Sequence, residues 1–136
     1  MSVGRKPSVS SPVVLDTSAI VALLDEEPGA DLVRSVIFNA AISAVTLAEA
    51  YSILSKRGQD GIAALSEIRF AIEHVIPFTE DQAETAGALR GPTKHAGLSL
   101  GDRACIALAI ALGVELYTAD RIWATLNLPC TIKLIR

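Results

Sequence analysis

The chain has 136 residues, of which 51% are hydrophobic and 20% charged, and its formal net charge at pH 7 is −3. This length fits one domain with a proper core, and the apolar content excludes a disordered chain. No apolar run approaches the roughly 20 residues that span a bilayer, and the N-terminus does not resemble a signal peptide. We therefore expect a cytoplasmic protein without a membrane segment. A negative net charge is unusual for a nucleic-acid binder, so any nucleic-acid phosphate would have to be bound by local basic patches.

The first half of the chain alternates short apolar strands with helices. Residues 1–12 are rich in Ser, Pro and basic residues and predict a flexible leader. The pattern that follows predicts strands at 13–15, 41–43 and 74–78, and helices at 19–24, 30–38, 45–56 and 61–72.

The second half continues the same alternation. It predicts helices at 80–89 and 99–112 separated by a loop at 91–97, then a strand at 115–118, a short helical turn at 121–123 and an edge strand at 131–135. Short apolar strands that alternate with helices indicate an α/β fold with a mainly parallel sheet. We find no repeat or linker, so the sequence predicts a single domain over residues 13–136.

Four carboxylates lie where a solvated acid is a poor choice. Asp16 and Asp120 each come after a predicted strand, whereas Glu49 and Asp102 lie inside apolar helical patterns. Sites in parallel α/β sheets form beyond the carboxyl ends of the strands, which would bring the four acids to one edge. Burying an ionised carboxylate without a partner is costly. A divalent metal ion among the four acids is the obvious way to offset their charge.

The chemistry expected of such a cluster is phosphodiester hydrolysis. Mg²⁺ and Mn²⁺ prefer oxygen ligands, and Mg²⁺ is often held by a few carboxylates, waters and substrate phosphate. A bound ion lowers the pKa of a water and neutralises charge that builds up on the phosphate. Four carboxylates support either one ion or two.

Each acid also has a purely structural interpretation. Asp16 and Asp120 suit the N-caps of the helices that follow them. Glu49 could lie on a solvated helix face, and Asp102 could be a favourable acid in the first turn of its helix. Each interpretation is acceptable alone, but all four together are not.

Residues beside the acids are weaker candidates. Ser18 and Thr118 would orient a carboxylate or bind a metal-bound water, or else cap helices. Arg103 and Arg121 would contact substrate phosphate, with ordinary ion pairing as the alternative. We expect Trp123 in the core rather than as a stacking surface for bases.

Four segments, in chain order and each carrying one of the acids, resemble those of the PIN-domain ribonucleases, and in particular the VapC-type toxins of bacterial toxin–antitoxin pairs. The segments are 14–19, 48–49, 98–109 and 116–123. The resemblance runs from Val13 to about Ile135, which is the whole chain except the leader.

The resemblance implies a three-layer α/β/α fold and an acidic Mg²⁺ or Mn²⁺ site made by Asp16, Glu49, Asp102 and Asp120. It implies endonucleolytic cleavage of RNA, with transfer RNA and ribosomal RNA as the expected targets. It also implies a homodimer and a cognate VapB-like antitoxin whose tail occupies the groove and masks the acids.

Three other functions compete with the nuclease. The first is a catalytically weak module of the same fold that binds RNA or protein. A phosphoacceptor domain would need adjacent acids after the first strand, where Thr17 and Ser18 stand. A phosphatase of the haloacid dehalogenase type would need a second Asp at position 18. Both of these alternatives fit the residues poorly.

Overall fold

Residues 12–136 are described by the computed structural model, and they contain one five-stranded sheet. The strands are β1 (Val13–Leu15), β2 (Ala40–Ser43), β3 (His74–Ile76), β4 (Glu115–Thr118) and β5 (Ile132–Leu134). They lie in the order β3-β2-β1-β4-β5, and every neighbouring pair is parallel. The first strand of the chain is therefore the central strand of the sheet.

Helices cover both faces of the sheet. They are α1 (Thr17–Leu24), α2 (Ala30–Val36), α3 (Ala44–Lys56), α4 (Gly61–Ala64), α5 (Ser66–Ala71), α6 (Glu80–Ala88) and α7 (Leu100–Leu112), with short 3₁₀ helices at Ile37–Asn39, Lys94–Ala96 and Arg121–Thr125.

The core is divided in two by the sheet. Along β1, Val13 and Leu15 join the cluster formed by α1, α2, α3 and α5, while Val14 joins the cluster formed with α7 and Trp123. This alternation follows from the two-residue period of a strand, and burial on both faces explains why β1 is continuously apolar. The predicted three-layer α/β/α fold is confirmed, and its sheet is wholly parallel in the described residues.

Several predicted boundaries were wrong for local reasons. The helix expected at 61–72 is two helices, because Leu65 leaves helical geometry at ψ 4° while its side chain enters the core. The helix expected at 30–38 ends at Val36 and continues as a 3₁₀ turn. The strand expected at 74–78 ends at Ile76, since Pro77 has no N–H for the ladder.

The leader predicted for residues 1–12 lies outside the described residues except for Pro12, so the domain boundary at Val13 stays a prediction. The loop predicted at 91–97 includes the 3₁₀ turn Lys94–Ala96. Over residues 12–136, no helix has both the length and the apolar character needed to cross a membrane.

The ends of β1 and β4 position two of the candidate acids. Leu15 pairs with Tyr117, and the N–H of Asp16 donates to the carbonyl of Tyr117 at 3.1 Å. Since both strands run in the same direction, the residues that follow them reach the same edge of the sheet. Asp16 and Asp120 therefore approach each other although 103 positions separate them in the sequence.

Helix α7 provides a direct test of the core. Leu108 is completely buried, whereas Leu112 on the same helix is 45% exposed. We expect Leu108→Ala to lower the free energy of unfolding by about 2–5 kcal/mol, because it leaves a cavity between α7 and the sheet. The matched Leu112→Ala change should cost less than about 1 kcal/mol. Urea unfolding at unchanged m-value measures both, and equal losses would contradict the assigned packing.

Candidate functional site

All four predicted acids line one pocket of about 350 Å³. We call it the acid pocket, and its charged lining residues are Asp16, Glu27, Glu49, Asp102, Asp120 and Arg136. The structure thus brings together four side chains that the sequence keeps far apart. Their roles as metal ligands stay a prediction.

Asp16 is the most deeply buried of these acids, with 5% of its surface exposed. Its Oδ1 accepts hydrogen bonds from the hydroxyl of Ser18 at 2.6 Å and the N–H of Ala19 at 3.0 Å, and its Oδ2 accepts from the hydroxyl of Thr118 at 2.7 Å. Burial raises the pKa of Asp16 to about 6, against the lowering effect of these hydrogen bonds, and the charge of Asp102 adds a smaller increase. The carboxylate is therefore well held, but none of the three groups that hold it carries a positive charge.

The hydroxyls of Ser18 and Thr118 connect Asp16 to the segment after β4. Ser18 accepts from the N–H of Ala119 at 2.9 Å, and Thr118 accepts from the N–H of Asp120 at 3.0 Å. Each hydroxyl therefore accepts from the backbone and donates to Asp16. This geometry agrees with the predicted role of both residues in orienting a carboxylate.

Glu49 extends from α3 over the first turn of α7. Its Oε1 accepts from the hydroxyl of Thr17 at 2.7 Å. A Cβ placed on Gly101 would lie only 2.1 Å from its Oε2, so this position must lack a side chain for the carboxylate to occupy its place. Neither Thr17 nor Gly101 was predicted from the sequence as a site residue, although both adjoin a predicted acid.

Asp102 and Asp120 are fixed by helix capping. The N–H of Ser99 donates to Asp102 Oδ2 at 2.9 Å while the N–H of Asp102 donates to the hydroxyl of Ser99 at 3.1 Å, which makes a reciprocal capping box at the start of α7. Asp120 Oδ1 accepts from the N–H of Ile122 at 3.1 Å. Asp16 likewise caps α1. The structural interpretations of these three aspartates are thus correct, and they hold together with a place in the acid pocket.

Arg103 requires a correction. Its side chain is 8% exposed, and its Nη1 donates to the carbonyl of Ala86 in α6 at 2.8 Å. One residue rotates a helix by about 100°, so Arg103 turns away from the pocket that its neighbour Asp102 lines. The prediction that Arg103 contacts substrate does not agree with this geometry. Trp123 is 1% exposed, as expected of a core residue, and Arg121 is exposed at the surface.

Two charged residues of the pocket were missed by sequence reasoning. Arg136 donates from Nη1 to Glu27 Oε1 at 3.3 Å and to the carbonyl of Pro28 at 3.0 Å. Glu27 lies in the connection between α1 and α2, where charge is expected on any surface. The one usable signal was that Arg136 follows the last predicted strand, because the carboxyl end of a parallel strand reaches the same edge.

The donor set of the pocket fits a hard divalent cation. All four predicted ligands offer oxygen, the donor that Mg²⁺ and Mn²⁺ prefer. Over residues 12–136, no three Asp, Glu, His or Cys side chains are already grouped closely enough to hold an ion. Mg²⁺ does not need such a cage, since it usually keeps several waters and takes one or two carboxylates. The negative charge of the buried Asp16 carboxylate is the feature that an ion would offset.

The burial of Asp16 makes stability depend on pH in metal-free protein. Its folded pKa of about 6 lies above the ordinary 3.8, so the folded state binds more protons between these values. The free energy of unfolding should therefore fall as pH rises from about 4 to about 7, by roughly 3 kcal/mol from this group. Asp16→Asn should remove this fall in the free energy of unfolding. At pH 7 in EDTA the variant should therefore melt at a higher temperature than the parent protein.

Asp81→Asn, at an exposed position on α6, changes the formal charge equally and serves as the control. It should keep the pH dependence of the parent protein. A fall in stability that persists in Asp16→Asn would show that this carboxylate is not its source.

Comparison with known proteins agrees with the fold and with the predicted family. Residues 13–127 match the PIN domain family. The chain is 34% identical over 110 residues to ribonuclease VapC28 of Mycobacterium tuberculosis, an alignment that covers 74% of this chain and 81% of the relative. A VapC ribonuclease of Mycobacterium bovis matches equally well.

Solved structures share the architecture at lower identity. VapBC2 from Rickettsia felis, bound to a DNA fragment from their promoter, superposes with a TM-score of 0.73 at 20% identity and covers 91% of this chain and 98% of that chain. VapC20 of Mycobacterium tuberculosis, a sarcin–ricin loop cleaving toxin, gives a TM-score of 0.70 at 21% identity over 85% and 95% of the two chains. With the family match over most of its length and curated relatives above 30% identity, the chain belongs to the PIN domain family and is a relative of its VapC ribonucleases.

Proposed function

We propose that the protein is a metal-dependent endoribonuclease that acts as the toxin of a toxin–antitoxin pair and hydrolyses RNA at the acid pocket. The observation that carries this proposal is the burial of Asp16 in a pocket that three further predicted acids line. The curated relatives support the reaction, since both are VapC ribonucleases.

The residues that would hold Mg²⁺ or Mn²⁺ are Asp16, Glu49, Asp102 and Asp120, for one ion or two. A bound ion would lower the pKa of a water and offset charge on the phosphate. The chain itself supplies rigid placement: hydroxyls hold Asp16 and Glu49, while backbone N–H groups hold Asp102 and Asp120. Side chains fixed in this way need little reorganisation during the reaction.

A second, basic pocket supports an RNA substrate, with transfer or ribosomal RNA as the expected targets. Arg90 and Lys94 line this second pocket of about 250 Å³, and so does Leu98. Leu98 directly precedes Ser99, whose N–H donates to Asp102 in the acid pocket. An RNA strand that crosses both pockets would place one phosphate on basic side chains and the next part of its backbone over the acids.

The partners that we propose are a VapB-like antitoxin and a second copy of the chain. The solved structures of similar fold include VapBC assemblies from several bacteria. Ile62 and Phe70 are 75% and 67% exposed on α4 and α5, and large exposed apolar side chains often mark interfaces. We place the protein in the cytoplasm, where its RNA substrate and antitoxin would meet it.

Substitution of two acids tests the nuclease proposal. Asp16→Asn and Asp102→Asn should each lower Mn²⁺-dependent RNA cleavage by about 100-fold or more, since each removes a ligand charge. EDTA should abolish cleavage by the parent protein, and Asp81→Asn should leave it unchanged. Mapping RNA 5′ ends in cells that express the parent or Asp16→Ala would identify the target. RNA binding that is indifferent to EDTA, with no cleavage at any metal concentration, would instead favour the catalytically weak module.

Substitution of Gly101 is expected to lower activity while leaving stability nearly unchanged. In Gly101→Ala the new Cβ would displace the carboxylate of Glu49, and cleavage should fall at least tenfold. Unfolding should be little affected, because a flexible side chain can move and Ala has a higher helix propensity than Gly.

The matched control is Gly87→Ala in α6, where a Cβ meets nothing within 4 Å. This variant should be more stable than the parent and equally active. Full activity in Gly101→Ala would show that the position of Glu49 does not matter for cleavage.

A further inference from the structure

The acid pocket contains one side chain with the opposite charge. Among its described lining residues, Arg136 is the only basic one, and it shares the pocket with Asp16, Glu27, Glu49, Asp102 and Asp120. A phosphodiester that enters such a pocket meets strong repulsion unless a cation receives it.

Packing fixes the backbone that presents Arg136. The N–H of Ile135 donates to the carbonyl of Thr118 at 3.0 Å, and the Ile135 side chain is buried in the core. The turn before α2 closes on the same point, since a Cβ at Gly29 would lie 2.6 Å from the carbonyl oxygen of Ile135. Gly29 also has φ +98°, a conformation that other residues rarely adopt. The approach of this turn to the end of β5 thus depends on glycine.

The Arg136 guanidinium is hydrogen-bonded to the protein through one nitrogen, and its side chain is partly exposed. Both of its hydrogen bonds to described residues come from Nη1, one to the carbonyl of Pro28 and one to Glu27. A guanidinium has five N–H donors in a planar fork that matches the oxygens of phosphate. Its side chain is 36% exposed, so the Arg136 side chain as a whole can be reached from solvent.

We propose that Arg136 is a substrate-binding residue of the acid pocket, and that its guanidinium contacts a backbone phosphate of RNA beside the bond that is cut. This proposal rests on the proposed function, for which it names a contact outside the acid cluster. The bond to Pro28 orients the guanidinium before RNA arrives, and Glu27 limits its movement. Binding energy from this contact offsets the repulsion of the acids.

A different role for Arg136 is to neutralise Glu27 and nothing more. The two roles differ in a double-mutant cycle with Glu27→Gln. If Arg136 contacts phosphate, Arg136→Gln weakens RNA binding to the same extent whether position 27 carries Glu or Gln. If it acts only through Glu27, its removal has no effect once Glu27 is uncharged.

The test measures binding of a short single-stranded RNA oligonucleotide by fluorescence anisotropy in EDTA over a range of KCl concentrations. We expect Arg136→Gln to weaken binding about fivefold and to lower the slope of log K against log[salt] by about 0.7, as for one phosphate contact on a single strand. In Mn²⁺ the same variant should raise the KM for cleavage about fivefold and change kcat less than about twofold.

Arg34→Gln is the charge-matched control, because Arg34 pairs with Glu26 and Asp31 and does not line the pocket. It should change the affinity less than twofold. Unchanged binding in Arg136→Gln, an effect equal to that of Arg34→Gln, or an effect that vanishes in the Glu27→Gln background would each overturn the proposal. Absence of measurable RNA binding by the parent protein would overturn it too. Failure of the parent to cleave RNA in Mn²⁺ would instead refute the nuclease function. The binding measurements in EDTA do not require cleavage, so the two outcomes can be told apart.

Discussion

The burial of the Asp16 carboxylate at the end of the central strand is the constraint on which the rest of the site depends. Two hydroxyls and one backbone N–H hold both of its oxygens, yet none of these groups carries a positive charge. Burial therefore raises its pKa to about 6. A cation would remove this penalty. Ion binding at Asp16 would therefore raise the free energy of unfolding, which burial of the charged carboxylate lowers.

Capping by Asp102 and Asp120 is compatible with the proposed metal binding, because it engages only one of the two carboxylate oxygens of each side chain. Asp102 engages Oδ2 in its capping box and Asp120 engages Oδ1 at its 3₁₀ helix. Each bond fixes the carboxylate at a helix N-terminus, where the partial positive charge of the helix also favours an anion. Because these bonds fix each carboxylate at its own helix, the acids can line one pocket without being close together. In the described part of the chain, no three of them are near enough to one another to hold an ion.

Much of this arrangement could be predicted from the sequence because parallel topology is strongly constrained. Continuous apolar runs such as Val13–Leu15 identify strands buried on both faces, and an acid after such a strand must reach the carboxyl edge of the sheet. The family resemblance then supplied the three-layer arrangement. The hydroxyls that hold Asp16 could also be predicted from the sequence, since Ser18 is two residues away and Thr118 ends a predicted strand.

The remainder depended on orientation and on contacts between distant segments. Arg103 adjoins an acid in sequence, but helical rotation turns it toward α6. The break at Leu65 follows from its burial rather than from any turn-forming residue. Arg136 could be assigned only once β5 was known to lie beside β4, with the turn at Gly29 packed against its end. Local patterns do not encode such contacts.

The acidity of the chain, which argued against a nucleic-acid ligand, is concentrated in the acid pocket. Five of its 15 acidic residues line that pocket, together with one of its 12 Lys and Arg residues. The rest of the chain therefore carries ten acidic residues against eleven basic ones, a formal charge of about +1 by the same count. One divalent ion would offset half of the pocket's formal charge of about −4, and Arg136 lies within the pocket, where we propose that it contacts phosphate. Net charge is thus a poor argument against RNA binding by this protein, because most of the excess negative charge lies where a metal ion is expected.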